Sequence, residues 1–343
     1  MSKISKCIVG VAVIFTLASS SARAADPALV GAAKKEGQVV WYTTLLINQL
    51  GGPLADAFEK KYGIKVLATR NDPDETALRI LNESCAGSVQ ADVFDGSFAS
   101  TTFVREGILA KYQPESAKDF PKNLLDPNGY WTANRLTFTT PGVNTDLIPP
   151  GTEPKTWDDL LAPQWKGKMA WGTNPGATGA IAFIGLVLTE LGEEKGTAYL
   201  KKLREQNITP LKVSARAVLD QVIAGEYPMA LGILNDNAVF SRNQGAPVAW
   251  LPISPALGAL GVISVLEKAK HPNAARLLAD FVVSEEGQKI ARDRNYIPVN
   301  PKVAPLDPDL RPDGGKFRAV TLTPEQLEAG RADWIAKFNE IFR

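Results

Sequence analysis

The sequence predicts an α/β protein of two lobes. Three observations carry this: short apolar runs alternate with amphipathic helical stretches, two long extended segments interrupt the alternation, and the apolar runs repeatedly finish in polar clusters. Alternation of this kind builds mostly parallel sheets flanked by helices. Two extended connections between two such units give lobes that share crossover strands. Ligands of open α/β sheets collect outside the carboxyl ends of the strands, where the polar clusters fall.

The elements follow in order. "GQVVWYTTL" reads as a buried strand running into a polar loop at Thr43 and Thr44, "PLADAFEKKYG" as an amphipathic helix stopped by Gly63, and "IKVLATR" as a strand ending at Arg70. "DETALRILNES" has helical spacing, with Asp74 as its cap. "ADVFDGS" is a short strand ending in Asp95 and Ser97, and "ASTTFVREGILAKY" is helical. The first extended segment, "GYWTANRLTFTTPGVNTDLIPP", interrupts the rhythm. It resumes with the strand "WKGKMAWGTN", the helices "TGAIAFIGLVLTELG" and "GTAYLKKLREQ", a helix capped by Ser214 and closed near Gly225, and the strand "MALGILNDN". The second extended segment, "GAPVAWLPISPALGALGVISVL", leads to the helices "NAARLLADFVVS" and "EEGQKIARDRN". The expected division is residues 25–140 with 250–298 in one lobe and 141–249 with 299–343 in the other.

Residues 1–24 have the form of a signal peptide: Lys3 and Lys6, an apolar stretch, then Ala22-Arg23-Ala24 as a small-x-small cleavage site. The apolar stretch is shorter than the roughly 20 residues a membrane helix needs. Cleavage after Ala24 and export to the periplasm are expected. Cys7 leaves with the leader, so Cys85 has no partner for an internal disulfide and is expected to be a small buried side chain. With 38 basic and 37 acidic residues interspersed, no nucleic-acid footprint is present. The single His271 is expected at a surface helix start. Together with the absence of clustered cysteines or an H-E-x-x-H pattern, this argues against a zinc enzyme.

Six places could carry chemistry. Gly176, Ala177 and Thr178 lead directly into a helix whose exposed amides suit an anion; without a following Lys the loop is not of the nucleotide-binding kind, and an ordinary capped helix is the alternative. Arg70, and more weakly Arg216 in the first turn of its helix, could grip a carboxylate or phosphate, or form surface ion pairs. Trp171 could stack on a ligand or pack in the core. Asn235, Asp236 and Asn237 end an apolar run as a metal site, a catalytic carboxylate, a ligand cradle or a turn. Asp95 and Asp236 would have to face each other to serve as a hydrolase pair.

The stretches "ADVFDGSFASTTFVREGILAKY", "PKTWDDLLAPQWKGKMAW", "LDQVIAGEYPMALG" and "KAKHPNAARLLADFVVSEEGQKI" resemble the periplasmic solute-binding proteins of ABC importers, in the ferric-binding-protein-like branch of the family 1 type. The resemblance covers nearly the whole chain after the leader. It implies a type II periplasmic-binding-protein fold, ligand held between lobes on hinge strands, and delivery to an inner-membrane permease with its ATPase. It also implies a monomeric receptor, not an enzyme, without a cofactor. The positions of the iron-binding tyrosine pair of that branch fall on Asn235 and Asp236, while the family's anion loop falls on Gly176, Ala177 and Thr178. Tyr42 lies near another family site position. The implied ligand is a small polar, anionic solute, phosphorylated or carboxylated. The alternatives are ferric iron or an iron chelate, with Tyr42 and Asp236 as metal ligands, and an exported hydrolase using Asp95 or Asp236.

Overall fold

The computed structural model describes residues 25–96, 99–174 and 179–343. Its strands are β1 (Gln38–Thr43), β2 (Lys65–Arg70), β3 (Val93–Gly96), β4 (Thr132–Asn144), β5 (Met169–Gly172), β6 (Thr209–Leu211), β7 (Met229–Leu234), β8 (Val248–Trp250), β9 (Ala256–Val265) and β10 (Ala319–Leu322). Its α-helices are α1 (Pro27–Glu36), α2 (Gly52–Tyr62), α3 (Pro73–Cys85), α4 (Ser100–Arg105), α5 (Gly179–Arg204), α6 (Ala215–Ile223), α7 (Asn235–Arg242), α8 (Pro272–Val283), α9 (Glu285–Asp293) and α10 (Pro324–Phe342).

The strand order β2-β1-β3-β9-β4-β7-β5-β6 explains the two lobes. At one end β1 pairs in parallel with β2 and β3; at the other β5 pairs in parallel with β6 and β7. Between them β4 and β9 run antiparallel to each other and to their outer neighbours. These two long strands are the extended segments of the sequence. Each lobe buries its own core: Trp41, Phe58, Leu260 and Phe281 in the first, Trp171, Phe183, Leu200, Trp334 and Phe338 in the second. Alternation along β1 sends Trp41 to that first core and Tyr42 to a smaller cluster with Ile80, Phe94 and Phe103 on the opposite face.

Several sequence expectations are corrected. "ASTTFVREGILAKY" is helical only over Ser100–Arg105, because Gly107 takes a left-handed φ of 65° and ends it. Gly192, with φ 76°, breaks α5 between the two helices the sequence suggests. Cys85, the last residue of α3, is exposed rather than buried. The N-cap position of α3 belongs to Asp72, and Asp74 reaches Arg331 instead. The His271 side chain is only 17% exposed, its Nδ1 2.8 Å from the buried Asp92 carboxylate, so it is a partner within the fold and not a surface group. α10 lies beyond the last expected element. Its heptad-like run of Leu327, Trp334, Phe338 and Ile341 buries against α5.

The start of α5 is set by three glycines. A Cβ on Gly172 would meet Val213 O at 2.7 Å, one on Gly232 would meet Gly179 Cα at 2.8 Å, and one on Gly179 would meet Gly172 O at 2.4 Å. The first residue of α5 is therefore wedged between the ends of β5 and β7. Gly179 also has a left-handed φ of +74°. Gly179→Ala is expected to destabilise the protein by about 2 kcal/mol or more, read by urea unfolding, because strained backbone and a backbone clash add.

Candidate functional site

Five chain segments, around residues 43–49, Asp95, Arg135, Asp236 and Tyr296, bring polar side chains together where the lobes meet. Asp95, at the end of β3, is fully buried. Its Oδ2 accepts from the Thr43 hydroxyl, and its Oδ1 accepts from Thr44 N–H at 3.2 Å and the Thr44 hydroxyl at 3.0 Å. Burial pushes its carboxyl up, against the pull of Arg135 and the threonine donors.

Arg135, which the sequence reading does not single out, joins this cluster. Its guanidinium Nη1 lies 3.6 Å from Asp95 Oδ1 and donates to Asn134 Oδ1 at 3.1 Å, while Nη2 donates to Thr44 Oγ1 at 3.2 Å. The register of β4 against β9 shifts between Ala133 and Arg135, and this bulge re-aims the side chain. The residue facing it is Gly261, where a Cβ would come within 2.6 Å of the guanidinium. An arginine on an apolar-looking crossover strand opposite a glycine was the available signal.

From the second lobe, Asn235, Asp236 and Asn237 form the first turn of α7 directly after β7. Asn235 donates from Nδ2 to Leu310 O at 3.0 Å, and its Oδ1 accepts Asp236 N–H at 2.9 Å. Asp236 is 2% exposed; its Oδ1 accepts Asn237 N–H at 2.9 Å, and its Oδ2 is buried without a partner. Burial pushes the carboxyl up to about 6, opposed by the Asn237 amide and by Arg135. Tyr296 completes the cluster: its hydroxyl donates to Gln49 Oε1 at 3.1 Å, with Gln49 on a single π-turn, Ile47–Gly51. Burial raises its phenol well above the usual range, and Asp236, Arg135, Arg216 and Asp95 all act on it. Ionisable groups of both lobes thus lie within electrostatic reach of Tyr296.

Other expected site residues are engaged elsewhere. The Tyr42 hydroxyl donates to Glu83 Oε1 at 2.9 Å, under the Arg79 guanidinium, and burial with Glu83 pushes its phenol up to about 12. In this structure the phenol that the iron alternative would use is thus held by Glu83. Arg70 pairs with Asp72 at 2.6 Å and Arg216 with Asp220 at 2.7 Å and the Ser241 hydroxyl at 3.0 Å. Arg216 still contributes to the field at Tyr296. Trp171 packs in the core, 4.8 Å from the Phe342 ring. Ser97, Gly176, Ala177 and Thr178, like residues 1–24, lie outside the described residues. Among the described residues no group of three or more His, Cys, Asp or Glu side chains is placed to hold a metal. A mostly apolar cleft of about 500 Å³, lined by Val143, Ile148, Trp250 and Ile253 with Glu153 and Lys155, shares no residue with this cluster.

Residues 88–321 match the bacterial extracellular solute-binding protein family, and the chain belongs to it. A Salmonella typhimurium protein named for periplasmic 2-aminoethylphosphonate binding is 26% identical over 292 residues, covering 81% of this chain and 80% of the relative. An Fe(3+)-binding periplasmic protein of Serratia marcescens is 24% identical over 292 residues, covering 79% and 83%. The solved periplasmic binding protein AfuA from Actinobacillus pleuropneumoniae, with fructose-6-phosphate bound, superposes with a TM-score of 0.77 at 25% identity, covering 90% of this chain and 99% of that one. The two-lobed binding-protein fold is thereby established. No helix among the described residues is long and apolar enough to cross a membrane.

Proposed function

We propose that this chain is the periplasmic receptor of an ABC importer, capturing a small polar, anionic solute between its lobes and delivering it to a membrane permease with its ATPase. The carrying observation is Asp236, a buried carboxylate with one oxygen unpartnered, within electrostatic reach of the largely buried Arg135 guanidinium. Such an oxygen is costly unless something donates to it. A solute with hydroxyls or an ammonium supplies the donor. Arg135, together with the α5 start and the Gly176, Ala177 and Thr178 loop before it, suits a phosphoryl or carboxyl head. The relatives named for aminoethylphosphonate binding and the fructose-6-phosphate complex support such ligands.

In this reading residues 1–24 are removed after Ala24, the mature protein works as a monomer, and the lobes comprise 25–140 with 250–298 and 141–249 with 299–343. Asp95 serves the receptor by holding Arg135 and not as a hydrolytic base, since both its oxygens already accept hydrogen bonds. A ferric ligand set is weakened by the engagement of Tyr42 with Glu83. The test is a thermal-shift screen of mature protein, unfolded and refolded to strip solute, against 2-aminoethylphosphonate, fructose 6-phosphate, phosphate, carboxylates, neutral sugars and ferric citrate. A ligand at about 1,000 times its Kd stabilises by about 4 kcal/mol. A shift with phosphorylated or carboxylated solutes is the expected result. A shift with ferric citrate alone transfers the site to an iron chelate, and turnover of any of these compounds overturns the receptor reading.

A further inference from the structure

α10 belongs to the second lobe by its buried face, yet the polar residues of its first half reach the first lobe. Trp334 locks it to α5: Cβ atoms on Gly185 of α5 or Gly330 of α10 would lie 2.5 Å and 2.4 Å from the Trp334 indole, so the ring fills the space both glycines leave. From this fixed helix Glu325 Oε1 accepts from Trp131 Nε1 at 3.0 Å, Glu328 accepts from the Thr102 hydroxyl of α4, and Arg331 Nη2 donates to Asp74 Oδ1 of α3 at 2.6 Å. α4 follows the strand that carries Asp95, and α3 follows the strand that ends in Arg70. All three contacts join α10, packed in the second core, to elements of the first lobe.

The seam is incompletely satisfied. Glu328 Oε2 is buried without a partner, and so are the Ser100 and Thr101 hydroxyl oxygens of the facing helix. A permanent interface would pair such groups, because each buried orphan costs free energy. A seam that parts regains water on both sides, so its two arrangements stay close in energy, as a two-state element requires.

We propose that α10 is a strap: Glu325, Glu328 and Arg331 are positioning residues that hold the lobes closed over the solute without touching it. The importance of closure for uptake rests on the receptor reading above; the strap itself does not. Asp74→Arg and Arg331→Asp, singly and combined, test it in ligand-stripped protein by small-angle X-ray scattering. Each single reversal is expected to enlarge the radius of gyration, and the double swap to restore it. With a solute found by the screen, the singles are expected to raise Kd roughly three- to tenfold through faster release, with the swap recovering it. Glu328→Gln, which keeps a hydrogen-bond acceptor and removes the buried charge, provides an independent arm and is expected to hold the lobes closed more tightly, with a radius of gyration no larger than wild type. Scattering of both single reversals indistinguishable from wild type, or a double swap as open as the singles, overturns the strap. If the screen yields no ligand, the receptor reading fails while the scattering comparison still decides the strap.

Discussion

Asp236→Asn is expected to abolish tight solute binding and at the same time to make the folded protein more stable at neutral pH. The binding loss follows from the unpartnered Oδ2: replacing a carboxylate that receives the solute's donors should cost about 2 to 5 kcal/mol. The gain in stability follows from the same burial. The carboxyl rises from its ordinary 3.8 to about 6 in the fold. For a group raised this way, stability is fully present below the unfolded value and is lost as pH climbs through the folded one, so wild type surrenders up to about 3 kcal/mol between about pH 4 and pH 6. The asparagine keeps an Oδ1 for the Asn237 amide but buries an unpaired Nδ2, so the net gain at pH 7.5 should be about 1 to 2 kcal/mol. Asp95, also raised, and Arg135 face the same region and are common to both proteins, so the difference between them isolates Asp236. Urea unfolding at pH 4 and pH 7.5, with titration of a ligand found in the screen, checks all three statements. A variant less stable than wild type at pH 7.5 would show that Asp236 stabilises the fold instead of serving the solute. In wild type, bound donors keep the carboxylate ionised, so affinity should fall as pH drops below about 6.

The contrast between what was legible in sequence and what was not follows from range. Periodicity is local, and the β-α alternation, the two crossover strands and the Ser214 cap emerged because each depends on neighbours within a dozen residues. The Asn235 to Asn237 cluster was conspicuous for the same reason: polarity at the end of an apolar run is a local anomaly. Arg135 was hidden because its meaning depends on Gly261 and Asp95, far away in sequence but adjacent in register through β9. The partner of Tyr42 is not legible because a residue near a strand end can point to either face, and only the sheet decides that its phenol meets Glu83. Tyr296 and Gln49 lie in irregular backbone, where no period announces a side chain's direction. α10 was overlooked although its Thr323-Gln326 capping box is written in the sequence.

Arg135→Met is expected to be the most destructive single change in the site, lowering stability by about 3 to 5 kcal/mol, because truncating one member of a buried ion pair leaves the other charge uncompensated. Asp95 would keep its threonine donors but lose the cation 3.6 Å away, and Asp236 and Tyr296 would lose the positive charge acting on them. Methionine preserves much of the aliphatic volume beside Gly261, so the effect would be electrostatic and not a packing defect. Two comparisons separate these causes. Removing the orphaned charge with Asp95→Asn in the same chain should recover much of the lost stability, a coupling measurable by a double-mutant cycle. The penalty should also shrink in acid, where Asp95 takes up a proton, its carboxyl being already raised by burial and released from the lowering pull of Arg135. Arg135→Lys retains the charge but not the forked contacts to Thr44 and Asn134, and should fold nearly normally while binding an anionic solute weakly. If the methionine variant loses less than about 1 kcal/mol, Asp95 is satisfied by its threonines alone, and Arg135 stands free to belong wholly to the solute.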